Sequence, residues 1–474
     1  MDTRALYRVE KDSLGELEIP AAAYYGVNVA RALVNFPIST RKIHPRMIEA
    51  YCRIKRAAAA VNLKAGRLPE DKAKAIQQAA DEVLSGKLRE QFVIDMFQAG
   101  AGTSTNMNAN EVLCNRALEL LGHEKGAYTV LNPNDHVNMG QSTNDTYPTA
   151  MHLAIVDALN AFYPEADRLV DSLLRVGDRY ESVIKSGRTH LQDAVPVTLG
   201  GEFRAYADAL RDALAHVRRT ADDLLDLGIG GSAAGTGMNT HPEYAQHMVA
   251  ELCRLTGTPF RKANNLIHAM QSQAPVGRTS SALRDFAVEL GRVANDLRLL
   301  SSGPTTGLAE IALPEVQAGS SIMPGKINPS IPEMVNMVCF QVIGNDLTVS
   351  QAVAAGQMEL NVMMPIMAEN VLESAEILAA ACRQLSARCV DGITVNEQRC
   401  KDYAYRSMGL ATALAPYIGY LEAAKVAKRA LAEGKTITEL VRKDGILSDE
   451  ELERLLDPER MTRPDPDLAT GQKS

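Results

Sequence analysis

Long apolar stripes at helical spacing run through the middle of the chain, and they constrain its fold more than any other feature. From Phe203 and again from Leu283, apolar residues recur at alternating steps of three and four. This spacing keeps one face of a helix turned toward a partner helix, as in helical bundles. The segments 144–180, 333–355 and 358–389 also predict long helices. We therefore predict a mainly all-α protein built around a bundle of five long helices.

The length of 474 residues predicts two or three domains, because a domain usually holds roughly 100–200 residues. Residues 1–142 predict a mainly helical domain whose loop-rich start leaves room for a short strand or two. Residues 143–398 form the predicted central bundle. Residues 399–474 predict a small helical domain that ends in a disordered tail.

Two helix starts are marked near the end of the chain. Thr436 and Ser448 are each followed three residues later by a glutamate, Glu439 and Glu451 respectively. This is the pattern of a capping box, in which the hydroxyl accepts from the helix backbone and the glutamate bonds back to the first residue.

The net charge of the chain and the distribution of its apolar residues indicate which kinds of partner it can have. The formal net charge of -8 argues against a nucleic-acid partner, which favours a basic face. No apolar stretch approaches the roughly 18 residues that a membrane span needs, so no membrane association is expected. The five long helices are too elongated for one chain to cover, and their faces are weakly charged. We therefore expect further copies of the chain to pack against them.

The cysteines indicate a reducing compartment. There are seven, at scattered positions, and no two have the close spacing of a zinc or redox site. We interpret them as reduced core thiols in a cytoplasmic protein.

The first residues lack a basic region followed by an apolar run, so no signal peptide is expected. No cluster of metal ligands stands out, and neither a metal nor a cofactor is predicted.

Four polar, glycine-containing segments interrupt the helical pattern, and each is predicted to lead into a helix. They are Gly100-Ala101-Gly102-Thr103-Ser104, Gln141-Ser142-Thr143-Asn144-Asp145, Gly187-Arg188-Thr189-His190 and Gly319-Ser320-Ser321-Ile322-Met323-Pro324-Gly325-Lys326-Ile327-Asn328-Pro329. Such residues place hydroxyls, amides and unpaired N–H groups at helix N-termini, where an anion is favoured. Any one of them could simply cap a helix. Four on different helices could together surround one anion.

A nucleotide phosphate is a poor candidate for that anion. A P-loop needs a second glycine five residues after the first, but that position after Gly319 is Pro324. It also needs serine or threonine directly after its lysine, but Ile327 follows Lys326. The glycine-rich stretch 228–237 follows a helical pattern and not a strand, so it does not match a dinucleotide-binding loop.

The segment from Gly319 to Asn328 resembles the signature of the fumarase/aspartase superfamily. The other three polar segments match in the family's order, and the likeness extends from about residue 4 to residue 464. The resemblance implies a three-domain, nearly all-α subunit and a homotetramer around a twenty-helix core. It also implies active sites that three subunits share. Members eliminate a group from the carbon beside a carboxylate and release fumarate.

The resemblance also implies a role for each matching residue. Ser320 is the expected base on a mobile loop, with Lys326 and nearby N–H groups stabilising its alkoxide. Thr103, Ser142, Thr143 and Ser321 are expected to hold the carboxylate that takes up charge in an aci-carboxylate intermediate, and Lys326 and Asn328 the other carboxylate. Asn144, Thr189 and His190 are expected at the leaving-group end, with Glu333 orienting His190. The substrate is then a small dicarboxylate.

Within the family, the residues favour the branch that eliminates ammonia from L-aspartate. Ser142-Thr143-Asn144, Val316-Gln317-Ala318 and Ser407-Met408-Gly409 resemble that branch, whereas Pro148-Thr149-Ala150-Met151-His152 resembles class II fumarases, which act on L-malate. Thr305 and Asn28 depart from the usual pattern of both. Class II fumarase, other lyases that add amines to fumarate, and a non-catalytic structural protein on the same fold therefore remain alternatives.

Overall fold

A computed structural model describes residues 6–464, which fold mainly into helices. Sixteen α-helices lie in this part of the chain: α1 (Val27–Asn35), α2 (Pro45–Lys64), α3 (Glu70–Leu84), α4 (Thr103–Leu120), α5 (Thr143–Arg179), α6 (Leu199–Ala221), α7 (Tyr244–Thr256), α8 (Leu266–Gln271), α9 (Ala274–Leu300), α10 (Ser330–Ala354), α11 (Met364–Arg388), α12 (Glu397–Arg406), α13 (Ala415–Ile418), α14 (Tyr420–Glu433), α15 (Ile437–Lys443) and α16 (Asp449–Leu455).

The five predicted long helices are confirmed as α5, α6, α9, α10 and α11. The last of them begins at Met364 and not at the expected Met358. Met358 has a positive φ of 48°, which breaks the helix. The buried Asn361 then donates from its side-chain amide to the carbonyls of Ala352 and Val353, and so closes the end of α10.

Short strands pair in four two-stranded sheets among the described residues. The strands are β1 (Tyr7–Asp12), β2 (Gly15–Pro20), β3 (Ile184–Thr189), β4 (Gln192–Thr198), β5 (Asp226–Leu227), β6 (Arg261–Lys262), β7 (Ile311–Ala312) and β8 (Thr394–Val395). The antiparallel hairpin β1–β2 confirms the strands expected near the start of the chain.

The segment from Gly187 to His190 was expected to lead into a helix, and this prediction is wrong. It forms the end of β3 and the turn of an antiparallel hairpin with β4. The alternation of Val195, Val197 and their neighbours suits a strand, and α6 begins only at Leu199. The residues between β3 and β4, His190 and Leu191, both have positive φ, as a tight two-residue hairpin turn requires.

The chain divides into two compact units. The first unit comprises Met1–Pro164, Ala213–Val288 and Val338–Ala379, and the second comprises Glu165–Asp212, Glu289–Met337 and Ala380–Ser474. In the first unit α2 packs against α3, α4 and α7. Phe162 and Phe286 meet edge to face there, with ring centroids 5.2 Å apart.

In the second unit the β3–β4 hairpin packs against α12 and against the 3₁₀ turn Met408–Leu414. The small C-terminal helices enclose a leucine-rich core of their own. Both predicted capping boxes are confirmed, at the starts of α15 and α16. The predicted disordered tail lies, from residue 465 on, outside the described residues. No helix within residues 6–464 is long and apolar enough to cross a membrane.

Candidate active site

The eleven residues predicted for the site fall in both units. The first unit holds Thr103, Ser142, Thr143 and Asn144. The second unit holds Thr189, His190, Ser320, Ser321, Lys326, Asn328 and Glu333.

Thr103 is exposed and is the first residue of α4. The chain reaches it through a 3₁₀ turn, Gly100–Gly102, in which Ala101 and Gly102 have φ of 60° and 77°. Glycine is required at 102, because a Cβ there would collide with the ring of Tyr147. The Ala101 N–H donates to the carbonyl of Val362 at 2.7 Å. These constraints hold the Thr103 hydroxyl and the free N–H groups of α4 in one place.

Ser142, Thr143 and Asn144 form the start of α5. The Ser142 hydroxyl accepts from the Asn144 backbone N–H at 3.2 Å, and the Thr143 hydroxyl accepts from Asn106 Nδ2 at 3.1 Å. The Asn144 side chain donates to the Ala233 carbonyl at 2.8 Å. Since each hydroxyl oxygen already accepts one bond, its proton can be donated to a bound carboxylate.

A carboxylate behind these hydroxyls was not singled out from the sequence. Asp145 is fully buried and accepts from the backbone N–H groups of Ser142, Gly230 and Ser232 at 2.9, 2.9 and 3.0 Å. Burial raises the pKa of Asp145 to about 6, while the three N–H donors oppose that rise. Asp145 therefore ties the start of α5 to the glycine-rich loop 228–237.

A buried lysine, Lys55, was also missed. Its ammonium donates to the side-chain oxygens of Asn106, Asn138 and Gln141 at 2.7, 2.9 and 2.8 Å. Burial lowers the pKa of Lys55 to about 7, and Asp145 partly offsets that effect. Its position in the sequence could have identified it, because Lys55 lies one helical turn after Tyr51, on the buried face of α2.

In the second unit, Thr189 ends β3 and His190 begins the hairpin turn, and both are exposed. His190 has a φ of 55°, a backbone conformation that residues other than glycine seldom adopt. Gly187 permits the hairpin to close, because a Cβ there would lie 2.5 Å from the Val195 carbonyl oxygen. The hairpin therefore presents its tip residues in one defined conformation.

Buried charges anchor the hairpin at its base. Glu310, which has no exposed surface, accepts from Arg188 at 2.8 Å and lies 3.1 Å from Lys185 Nζ. Lys185 also binds Glu202 at 2.8 Å. Burial raises the pKa of Glu202, and Lys185 opposes that rise. These buried ion pairs fix the geometry at the base of the hairpin, because separating any one pair would leave an unpaired charge in the protein interior.

Ser320 lies at the start of an irregular loop that leads into α10. Its hydroxyl oxygen accepts from the backbone N–H groups of Ile322 and Met323 at 3.2 and 2.9 Å. Two such donors favour the negatively charged form of an oxygen. This arrangement suits a serine that must act as an alkoxide base.

Two hydrogen bonds close the neck of the loop: Gly319 N–H donates to the Lys326 carbonyl at 2.9 Å, and Asn328 Nδ2 donates to the Gly319 carbonyl at 2.7 Å. A Cβ at Gly319 would collide with the Lys326 carbonyl oxygen. Ser321 and Lys326 are exposed, and Gly325 has a φ of 78°. The loop borders a cavity of about 550 Å³ whose wall includes Lys326 and Asn328, a volume suited to a small ligand.

Glu333 is half-buried in the first turn of α10, where its backbone N–H donates to the Pro329 carbonyl. Its expected pairing with His190 stays a prediction.

Asn28 and Thr305, the two residues that depart from the family pattern, lie in different surroundings. Asn28 donates to the buried Glu111 at 2.9 Å, whereas Thr305 is exposed.

Comparisons with known proteins bear on the class of this chain. The lyase family model matches residues 15–344, and the model of the fumarase C C-terminus matches residues 410–463. An aspartate ammonia-lyase of a Bacillus species is 47% identical over 457 residues, which are 96% of this chain and 98% of that protein. The aspartate ammonia-lyase of Escherichia coli strain K12 is 46% identical, with 96% of each chain covered.

Solved structures of lyases are similar to this chain as well. A fumarate lyase:delta crystallin from Brucella melitensis has a TM-score of 0.93 at 48% identity, over 97% of this chain and 100% of that chain. A class II fumarase from Schistosoma mansoni has a TM-score of 0.93 at 37% identity, over 96% of this chain and 99% of that one. The chain belongs to the fumarase/aspartase superfamily of lyases.

Proposed function

We propose that this lyase is an aspartate ammonia-lyase, which reversibly eliminates ammonia from L-aspartate to give fumarate. One observation carries the choice of substrate. Relatives named aspartate ammonia-lyase are 46–48% identical over at least 96% of the chain, whereas the class II fumarase from Schistosoma mansoni is 37% identical. Hydrogen-bond geometry at Ser320 and Thr143 is consistent with the chemistry of the family.

In the proposed mechanism Ser320 is the base. Its Oγ takes the proton from C3 of L-aspartate, and the electrons of that bond move into the neighbouring carboxylate to form an aci-carboxylate. The electrons then form the double bond between C2 and C3 as the C2–N bond breaks. The ammonium group leaves as ammonia, and fumarate remains. The N–H groups of Ile322 and Met323 support the alkoxide that starts this sequence.

The substrate is held mainly by neutral groups in this proposal. Hydroxyl donors receive the charge that develops on the C3 carboxylate: Thr103, Ser142, Thr143 and Ser321. Lys326 and Asn328 bind the other carboxylate, and Asn144, Thr189 and His190 surround the amino group. Preorganised donors of this kind are worth about 3–4 kcal/mol each in a transition state.

We also propose that the chain forms a homotetramer in the cytoplasm, with a twenty-helix core, and that three copies contribute to each active site. Within such a site Glu333 orients His190. Each subunit is proposed to have three domains, with boundaries at residues 142/143 and 398/399. The exposed Phe340 and Leu347 on α10 support the assembly, because large apolar residues on one helix face favour a partner.

A paired assay tests the choice of substrate. Purified enzyme is incubated with L-aspartate, and fumarate is followed by its ultraviolet absorbance while ammonia is measured separately. We expect equal amounts of both products, and none from D-aspartate, which serves as the control for stereochemistry. Turnover of L-malate without turnover of L-aspartate would contradict the proposal and make the chain a fumarase.

A further inference from the structure

A polar cluster lies inside the first unit, behind the start of α5. It consists of Lys55, Asn106, Asn138 and Gln141, and the side chains of Lys55 and Asn106 are almost completely buried. Three amide oxygens surround the Lys55 nitrogen within 2.9 Å. In its protonated form Lys55 has three N–H donors and no acceptor, so it matches these three oxygens one for one.

This match fixes the orientation of the Asn106 amide. Its oxygen faces Lys55 at 2.7 Å, because the opposite orientation would place two donors against each other. Its nitrogen must then point the other way, where it donates to the Thr143 hydroxyl oxygen at 3.1 Å and to Asn138 Oδ1 at 3.3 Å.

The direction of the bond from Asn106 decides what Thr143 can do. A threonine hydroxyl has one proton, and it can be donated to only one main partner. Since the oxygen of Thr143 accepts from Asn106, its proton is left for another acceptor. A carboxylate is such an acceptor, and it has no proton of its own to offer at neutral pH.

Gln141 extends the same constraint to the residue before Ser142. Its side-chain nitrogen donates to the carbonyls of Val137 and Met139 at 3.0 and 3.3 Å. Its oxygen is therefore turned toward Lys55, at 2.8 Å. Lys55 thus holds both the helix that carries Asn106 and the turn that leads into Ser142.

We propose that Lys55 and Asn106 are positioning residues that set Thr143 as a hydrogen-bond donor to the carboxylate of the substrate. The inference deepens the proposed function and rests on it, since it assigns a direction to one hydrogen bond of the same site. Neither Lys55 nor Asn106 is required to touch the substrate.

The test reverses the direction of that bond. Asn106→Asp keeps the shape of the side chain and gains an ion pair with Lys55, so we expect a folded protein. A carboxylate has no N–H, so the Thr143 hydroxyl would donate to it and withdraw its proton from the substrate. We expect kcat/KM for L-aspartate to fall by about 10- to 100-fold. The loss is expected mainly in kcat, because the bond strengthens as charge develops.

A double-mutant cycle separates this role from a merely structural one. In a Thr143→Val background there is no hydroxyl to redirect, so Asn106→Asp is expected to have little further effect. Asn108→Asp is the matched control on the same helix, because its amide bonds the backbone of Val93 and Gln91 and not Thr143. It is expected to lower thermal stability while kcat and KM of the folded enzyme stay near wild type.

Two outcomes would overturn the inference: a kcat/KM for Asn106→Asp near that of wild type, or an equal loss in the Thr143→Val background. If Asn106→Asp fails to fold, Asn106→Leu replaces it in the same cycle, since it also removes the bond to Thr143.

Failure of the proposed function can be distinguished from failure of this inference. If wild type turns over L-malate and not L-aspartate, the cycle is measured with L-malate. If it turns over neither, the cycle is measured as calorimetric binding of nitropropionate, whose nitronate form carries a double negative charge.

Discussion

At the scale of single residues, the candidate site relies on hydroxyl groups whose oxygens are already engaged. Ser142 and Thr143 each accept one bond from the protein, and Ser320 accepts two from backbone N–H groups. An accepted bond leaves the proton of a threonine or serine free to be donated. Two accepted bonds instead make loss of the proton easier. In the proposed mechanism the hydroxyls of Ser142 and Thr143 therefore act as donors, and the hydroxyl of Ser320 acts as the base.

Replacing the base tests this distinction. Ser320→Ala is expected to lower kcat by about 100- to 10,000-fold, because it removes the oxygen proposed to accept the C3 proton. Thermal stability and the oligomeric state are expected to stay as in wild type, since the loop that carries Ser320 is exposed. Steady-state kinetics and sedimentation velocity measure these two properties.

Ser330→Ala is the control for that substitution. Ser330 follows the same loop, and its hydroxyl has no hydrogen-bond partner among the described residues. Its removal is expected to leave kcat unchanged. Near wild-type activity of Ser320→Ala would remove Ser320 as the base.

At the scale of helices and strands, glycine placement decides where the site residues sit. Gly102 and Gly122 lie at the two ends of α4, with φ of 77° and 80°. A Cβ at Gly122 would meet nothing within 4 Å, whereas one at Gly102 would collide with Tyr147. The two glycines thus share a backbone conformation and differ in their surroundings.

This pair gives a matched experiment. Gly122→Ala is expected to lower the free energy of unfolding by about 1–2 kcal/mol through backbone strain alone. Gly102→Ala is expected to lower it by a further ~1–3 kcal/mol, because Tyr147 must move. Only Gly102→Ala is expected to reduce kcat/KM, since it displaces Thr103. Chemical denaturation and kinetics measure both effects, and equal behaviour of the two variants would refute the steric argument.

The sequence predicted the elements whose signals are local. Apolar spacing located the five long helices, and the capping boxes at Thr436 and Ser448 were read directly from residue types. The hairpin that carries Thr189 and His190 was missed, because its turn uses two non-glycine residues with positive φ. Lys55 and Asp145 were missed for another reason. Their roles depend on partners far along the chain, and spacing in sequence does not reveal such contacts.

At the scale of the whole molecule, α10 leaves large apolar side chains uncovered. Phe340 and Leu347 are 68% and 64% exposed, and Ile343 lies between them on the same face. Burial of such residues by another copy would favour association by about 25 cal/mol for each Å² of apolar surface. This helix face is therefore a surface at which the copies of the proposed tetramer can meet.

Placing charge on this face tests the assembly. The double variant Phe340→Glu with Leu347→Glu is expected to dissociate the tetramer and to abolish turnover, because each proposed site needs several copies. Leu421→Glu is the control, since Leu421 is 73% exposed on α14. It is expected to retain both properties. Sedimentation velocity and the aspartate assay measure them, and a fully active monomer would exclude shared sites.

Mixing provides a second measurement on intact assemblies. Thr143→Val and Ser320→Ala damage different parts of the proposed site, which different copies supply. When the two impaired proteins are unfolded and refolded together, some sites receive neither lesion, and activity is expected to rise above that of either variant alone. No recovery in verified mixed tetramers would contradict sites built from several chains.

The loop that carries Ser320 has a consequence for the survival of the protein. Residues 321–327 are all exposed, and two hydrogen bonds at the neck hold them. Lys326 lies within this run, so a protease that cleaves after lysine finds an accessible bond there. A bound dicarboxylate that engages Lys326 would shield that bond. Without a bound dicarboxylate, the chain is open to cleavage after Lys326, within the segment that the proposed mechanism requires.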